Sequence, residues 1–295
     1  MTGDYVADQW RVIQRADYDE LGEGLWWSAR ENAVYWVDIL SHAVNRYSLA
    51  DGGVQRWTVP ERIGWVIERR SKPGFIAGFQ SGFAELELAP LAIRRIVDPE
   101  PQLPGNRLND AKADQLGHIW AGTMDAAIEE TTGALYRLQP DHSVRRMDDG
   151  YKITNGPAFS PRQDLLYHTD TGRGTVYCFD VTPEGDIANR RVFLQFSGDM
   201  GSPDGMTVDA EGFLWIAHWG GSRVSRFSPD GKLDRAIALP ASQITNVTFA
   251  GANLDRMFVT SAAEGLDRSR EPLAGALFEV DPGGVRGLPP GLFAG

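Results

Sequence analysis

Glu23, Asn109, Asn155, Asp204 and Asn246 share one register: each stands eleven to thirteen residues before an aromatic residue that anchors a recurring phrase, and Ile63 fills the sixth such place. Two carboxylates and three amides make a set of hard oxygen donors. Their two charges would neutralise a divalent cation such as Ca²⁺, Mg²⁺ or Mn²⁺. Left unpaired at the mouth of a closed channel they would be costly to desolvate, so something must satisfy them. Singly, an Asn or Asp opens a strand because its side chain makes a turn with its own backbone. The alignment of the whole set is what points to a common axis.

The elements that must position these residues are strands. The anchors are Trp36, Phe75, Trp120, Tyr167, Trp215 and Phe258, spaced by 39, 45, 47, 48 and 43 residues. Each is followed by a second β-rich run (NRYSL, AELEL, LYRL, VYCFD, VSRFS, LFEVD), with turn pairs such as Asp51-Gly52, Glu211-Gly212 and Asp230-Gly231 between runs. Four short strands per repeat of roughly 40 to 50 residues predict an all-β, six-bladed β-propeller, whose innermost strands line a central channel. One domain is expected over residues 1–295, with the run Trp10 to Arg15 as an outer strand closing the last blade. No segment sustains a 3.6-residue period, so helices should be few. Strand alternation at the adjacent Trp26 and Trp27 predicts one buried ring and one partly exposed.

Composition narrows the function classes. A net charge of -11 without a Lys/Arg cluster repels nucleic acid and anionic membranes. Cys178 is the single cysteine, which excludes an internal disulfide and a Cys-rich metal site and fits a reducing compartment. The first twenty residues hold no apolar signal-like core and no run of eighteen apolar residues occurs, so a cytoplasmic location is expected. His42, His118, His142, His168 and His218 follow no metal-binding spacing, although His168 and His218, on the anchor strands, are candidates for contacts near the channel. No G-x-S-x-G elbow or Walker loop is present.

With these residues in view, the chain resembles the SMP-30/gluconolactonase family, which includes regucalcin and the bacterial sugar lactonases. The matching motifs include LGEG at 21–24, WVDI at 36–39, NRLND at 106–110, AGTM at 121–124, TNGPAFS at 154–160, YHTDT at 167–171 and PDGMTVDAEGFLWIAHWGG at 203–221. They run in order over nearly the whole chain. The resemblance implies one divalent metal ion (Ca, Mn, Zn, Mg or Fe(II)) held by Glu23, Asn155 and Asp204, with Arg107 and Asn109 contacting substrate. It also implies hydrolysis of a small sugar lactone. Animal members carry a Glu shortly after GTM that reaches toward the sugar; here the stretch is MDAAIEE, which offers Asp125, Glu129 or Glu130.

Opening a pentono- or hexonolactone to the aldonic acid needs a polarised carbonyl, an activated water and support for an oxyanion. Asp204 is the candidate general base, because a carboxylate beside the ion can take the water's proton. Arg107 and Asn109 match a polyol. Two other readings stay open: a propeller hydrolase of another ester or a phosphotriester, and a non-catalytic calcium-binding protein. In a further alternative for Arg107, the guanidinium pairs with Asp110 on the surface.

Overall fold

The computed structural model describes residues 9–295; residues 1–8 of the domain expected over 1–295 lie outside the described residues. β1 (Trp10–Val12) comes first and pairs late. A sheet of β2 (Gly22–Ser28), β3 (Ala33–Asp38), β4 (Ala43–Ser48) and β5 (Val54–Thr58) follows. The pattern repeats in β6 (Ile63–Glu68) to β9 (Leu91–Val97), in β10 (Asn106–Ala113), β11 (Ile119–Asp125), β12 (Gly133–Leu138) and β13 (Val144–Tyr151), and in β14 (Thr154–Phe159) to β17 (Ile187–Gln195). An eight-stranded sheet completes the chain. It comprises β18 (Ser202–Val208), β19 (Leu214–Trp219), β20 (Arg223–Phe227) and β21 (Leu233–Ala238), then β22 (Gln243–Ala250), β23 (Arg256–Ala262), β24 (Phe278–Val280) and β1. A single pair, Trp219 with Gln243, joins its two halves.

All named strand pairs are antiparallel, and the helical content of the described residues is two three-residue 3₁₀ turns. The architecture is all-β and propeller-like. Burial runs from the first strand of each repeat to the last: β2, β6 and β14 are buried at every position, whereas β5, β9 and β17 are largely exposed. Neighbouring first strands touch in the circuit β2, β6, β10, β14, β18, β22 and back to β2. All six aromatic anchors are buried on the second strands, between sheets. β1 pairs with β24, placing the N-terminal strand of the described residues at the outer edge of the last repeat.

Two repeats show why the anchor recurs. Asp114 Oδ1 accepts the amides of Gly117 and His118 in the turn after β10, while its Oδ2 accepts the Trp120 indole N–H at 2.9 Å. Asp209 does the same for Glu211, Phe213 and Trp215, and also receives Arg226 Nε at 2.8 Å. One carboxylate thus shapes the turn and fixes the ring that fills the gap between sheets.

Trp26 and Trp27 are both buried, against the expectation from alternation. The reason is that a first strand has its neighbours' first strands on both flanks and, at this end of the channel, a lid. The C-terminal segment 285–295 crosses the far ends of the first strands. Gly287 bridges Asp209, the Gln115 side chain donates to Pro289 O, and Phe293 bonds Glu68 O and is fully buried. No helix among the described residues is long and apolar enough to cross a membrane.

Candidate active site

Each first strand carries a pairing irregularity at the same level. Between Glu23 and Trp26, Leu108 and Ala111, Asn155 and Ala158, and Pro203 and Met206, two residues of the first strand oppose one of the second. A bulge re-aims side chains and tightens the local twist, and it commonly adjoins a functional site. Glycine makes the crowding possible. At Gly24 the backbone has φ +58°, and an added Cβ would meet Gly64 O at 2.4 Å; Gly156, after Asn155, has φ +73°.

The bulges deliver Glu23, Arg107, Asn109, Asn155 and Asp204 to one cavity of about 270 Å³. The three residues named as metal ligands and the two named as substrate contacts thus line one cavity, while Asn246 lies beneath it, bonded to Glu23. Arg107 Nη1 donates to Asn109 Oδ1 at 2.6 Å and to Leu108 O at 3.2 Å. Asn109 Nδ2 donates to Thr154 O at 2.6 Å and to Asn155 Oδ1 at 3.1 Å. Asn155 Nδ2 in turn donates to Thr171 Oγ1 at 2.9 Å. The chain of amides fixes the Asn155 side chain and leaves its Oδ1 a second lone pair.

The carboxylates form the floor. Glu23 Oε2 accepts from Gly24 N at 3.0 Å and from Asn246 Nδ2 at 2.9 Å; Asn246 also reaches Asp110 Oδ2 at 3.3 Å. Burial, then the nearby charge of Asp110, pushes the Glu23 carboxyl up to about 8. Asp204 is also raised, by burial first and then by Glu23 and Asp110. Its Oδ1 is buried without a hydrogen-bond partner among the described residues. Three carboxyl groups raised by burial, two of them further by a neighbouring carboxylate, and an orphaned carboxylate oxygen are a centre short of positive charge. Among the described residues no three His, Cys, Asp or Glu side chains gather as a metal cluster. The donors at hand are two carboxylates and an amide oxygen, and they fit a hard divalent cation.

Arg107 is buried and makes no ion pair within 4 Å among the described residues, and Asp110 is buried in the floor, so the surface pairing of these two does not occur. The Nε and Nη2 donors of Arg107 have no protein partner among the described residues. Asp125 is spent on its own turn, accepting the amides of Ala127, Glu129 and Glu130. None of Asp125, Glu129 and Glu130 lines the cavity; Ile128 does. His168 and His218 do not line it either. Burial lowers them to about 3 and about 4, so both rings are neutral. Sequence reasoning places Asp110 only as a surface partner of Arg107, and Thr171 and Glu264, which line the cavity, carry no signal in the sequence.

Fold and cavity together define a propeller-like β protein with an oxygen-donor centre at one end of its channel. The chain belongs to the SMP-30/gluconolactonase/LRE-like family, whose model matches residues 21–263. Regucalcin from Gallus gallus is 36% identical over 290 residues, covering 95% of this chain and 97% of its own. A 6-deoxy-6-sulfogluconolactonase from Pseudomonas putida is 34% identical over 281 residues, covering 93% and 95%. The solved structure of a calcium-binding protein, regucalcin, from Agrobacterium tumefaciens superposes with a TM-score of 0.91 at 27% identity, over 96% of each chain.

Proposed function

We propose that the chain is a metal-dependent hydrolase that opens an aldonolactone, a pentono- or hexonolactone, to the aldonic acid. The observation that carries this reading is the unpartnered Asp204 Oδ1 beside Glu23 in a cavity that also presents free Arg107 donors. A family containing a sugar lactonase supports it. The fold reading that goes with it is a six-bladed propeller in one domain, supported by the circuit of first strands; the eight-stranded sheet then counts as two blades joined at Trp219.

Glu23, Asn155 and Asp204 would hold one divalent ion, with Ca, Mn, Zn, Mg and Fe(II) as the choices. Bound there, the ion supplies Lewis-acid polarisation of an ester carbonyl and a more acidic water. Asp204 takes the proton of the attacking water and returns it to the ring oxygen as the acyl C–O bond breaks, its unpartnered Oδ1 being the atom at hand for both transfers. Arg107 donates Nε and Nη2 to substrate hydroxyls. Asn109 holds the Arg107 fork in place and offers its remaining Oδ1 lone pair.

A small-molecule substrate, with no nucleic acid or membrane partner, and a cytoplasmic setting complete the reading. A non-catalytic calcium-binding protein is the second reading, favoured by the likeness to the calcium-binding regucalcin of Agrobacterium tumefaciens. Free Arg107 donors over the floor are what a binding-only ion centre does not need.

The test pairs Arg107→Lys with Asp204→Asn and measures kcat/KM on aldonolactones beside metal content. Losing a charge-assisted hydrogen bond worth about 1.5 to 3 kcal/mol should lower kcat/KM of Arg107→Lys roughly tenfold to hundredfold with metal content unchanged. Asp204→Asn should lose most activity. Normal kinetics in Arg107→Lys would remove its substrate role, and normal activity in Asp204→Asn would overturn the mechanism.

A further inference from the structure

Part of the wall above the carboxylate floor is apolar, while Thr171, Ser202 and Glu264 supply polar lining elsewhere in the cavity. Leu21, just before β2, and Ile153, just before β14, both line the cavity. Met124 stands opposite Arg107 in the pairing of β10 with β11. Ile39, Ile128 and Trp219 complete this apolar lining.

Ile128 is the informative member. Its φ is +60°, a left-handed conformation that a β-branched residue adopts only against steric strain. Its side chain is no part of the core, since the residue is 45% exposed. The turn does not need it: the Asp125 carboxylate already collects three amides, and Asn or Gly at 128 would suit that φ better. A strained backbone that presents an apolar side chain at a cavity mouth points to something apolar opposite it. A polyol carbon set against this wall would bury its hydroxyl without a partner, whereas a methyl group there is favoured.

Resting on the lactonase reading above, we infer that the substrate carries an apolar group at the end remote from its carbonyl, the terminal methyl of a 6-deoxyhexonolactone, and that Ile128 and Ile153 select it. The test uses matched pairs differing only at C6: L-rhamnono- against L-mannono-1,4-lactone, and D-fucono- against D-galactono-1,4-lactone, with divalent cation supplied. In at least one pair the wild type should prefer the deoxy lactone roughly tenfold or more in kcat/KM, the scale of one group's fit in an apolar pocket. Ile128→Asn should bring that ratio near one while its Tm stays level or rises, because Asn accepts the left-handed φ. Equal rates within both pairs, a preference for the hydroxyl, or an unchanged ratio in Ile128→Asn would overturn the inference. So would hydrolysis of other aldonolactones with both 6-deoxy lactones refused. These results leave the lactonase reading standing, which falls only if no lactone of any kind is opened.

Discussion

Glu23 and Asp204 share a floor but differ in what their oxygens have to hand. Glu23 keeps two donors on Oε2, whereas Asp204 Oδ1 has none among the described residues. The raised Glu23 carboxyl makes binding at this floor dependent on pH. From about pH 4.5 to about 8 the folded, cation-free protein holds a proton there that the unfolded chain releases. Cation-free stability should therefore fall as pH rises through that window. An entering cation must expel the proton, so its affinity should climb as pH rises through that window. Calorimetric titration with Ca²⁺ or Mn²⁺ at several pH values measures this; an affinity flat across the window would contradict it. Asp110 is the floor residue whose place the sequence concealed. Alternation puts neighbours 109 and 110 on opposite faces, but both fall in the bulge opposite Gly122, so both reach the centre.

The strands were legible because the repeat is written in side chains that pack: an aromatic anchor every 39 to 48 residues, and turn residues between. What the repeat does not encode is the loop content, and there the reading stopped. The stretch 125–130 offered three carboxylates to the cavity, yet the fold uses Asp125 as a turn acceptor and sets half-exposed Ile128 at the cavity mouth. The Asp-to-anchor link makes a prediction at this scale. Asp209→Ala deletes the acceptor for two turn amides and the Trp215 indole, and removes one of the three carboxylates around buried Arg226. Breaking a buried pair on one side costs about 3 to 5 kcal/mol, here toward the low end because Glu211 and Asp234 still face the guanidinium. Chemical denaturation should show that loss, with kcat/KM of the folded fraction unchanged; a stability within about 0.5 kcal/mol of wild type would contradict it.

Over the whole molecule the two ends of the channel do different work. One end carries the carboxylate floor; the other is closed by Leu288 to Gly291 over the ends of the first strands, with Phe293 locked behind Glu68. No repeat or periodicity announced this lid, because a segment that crosses strands has no period of its own. Phe293→Ala should destabilise by about 3 to 5 kcal/mol in denaturant unfolding while leaving KM unchanged, since the ring lies at the end away from the site. A raised KM at full stability would deny that separation. The central claim, that Glu23, Asn155 and Asp204 hold one divalent ion needed to open a lactone, is tested most directly by reconstitution. Proton release from aldonolactones is followed with chelator-stripped protein, before and after one equivalent of a divalent cation is returned. The account predicts a negligible enzymatic rate in the stripped protein and recovery that saturates at one ion per chain. Full hydrolysis by protein shown to be metal-free, or none with any cation returned, would contradict it.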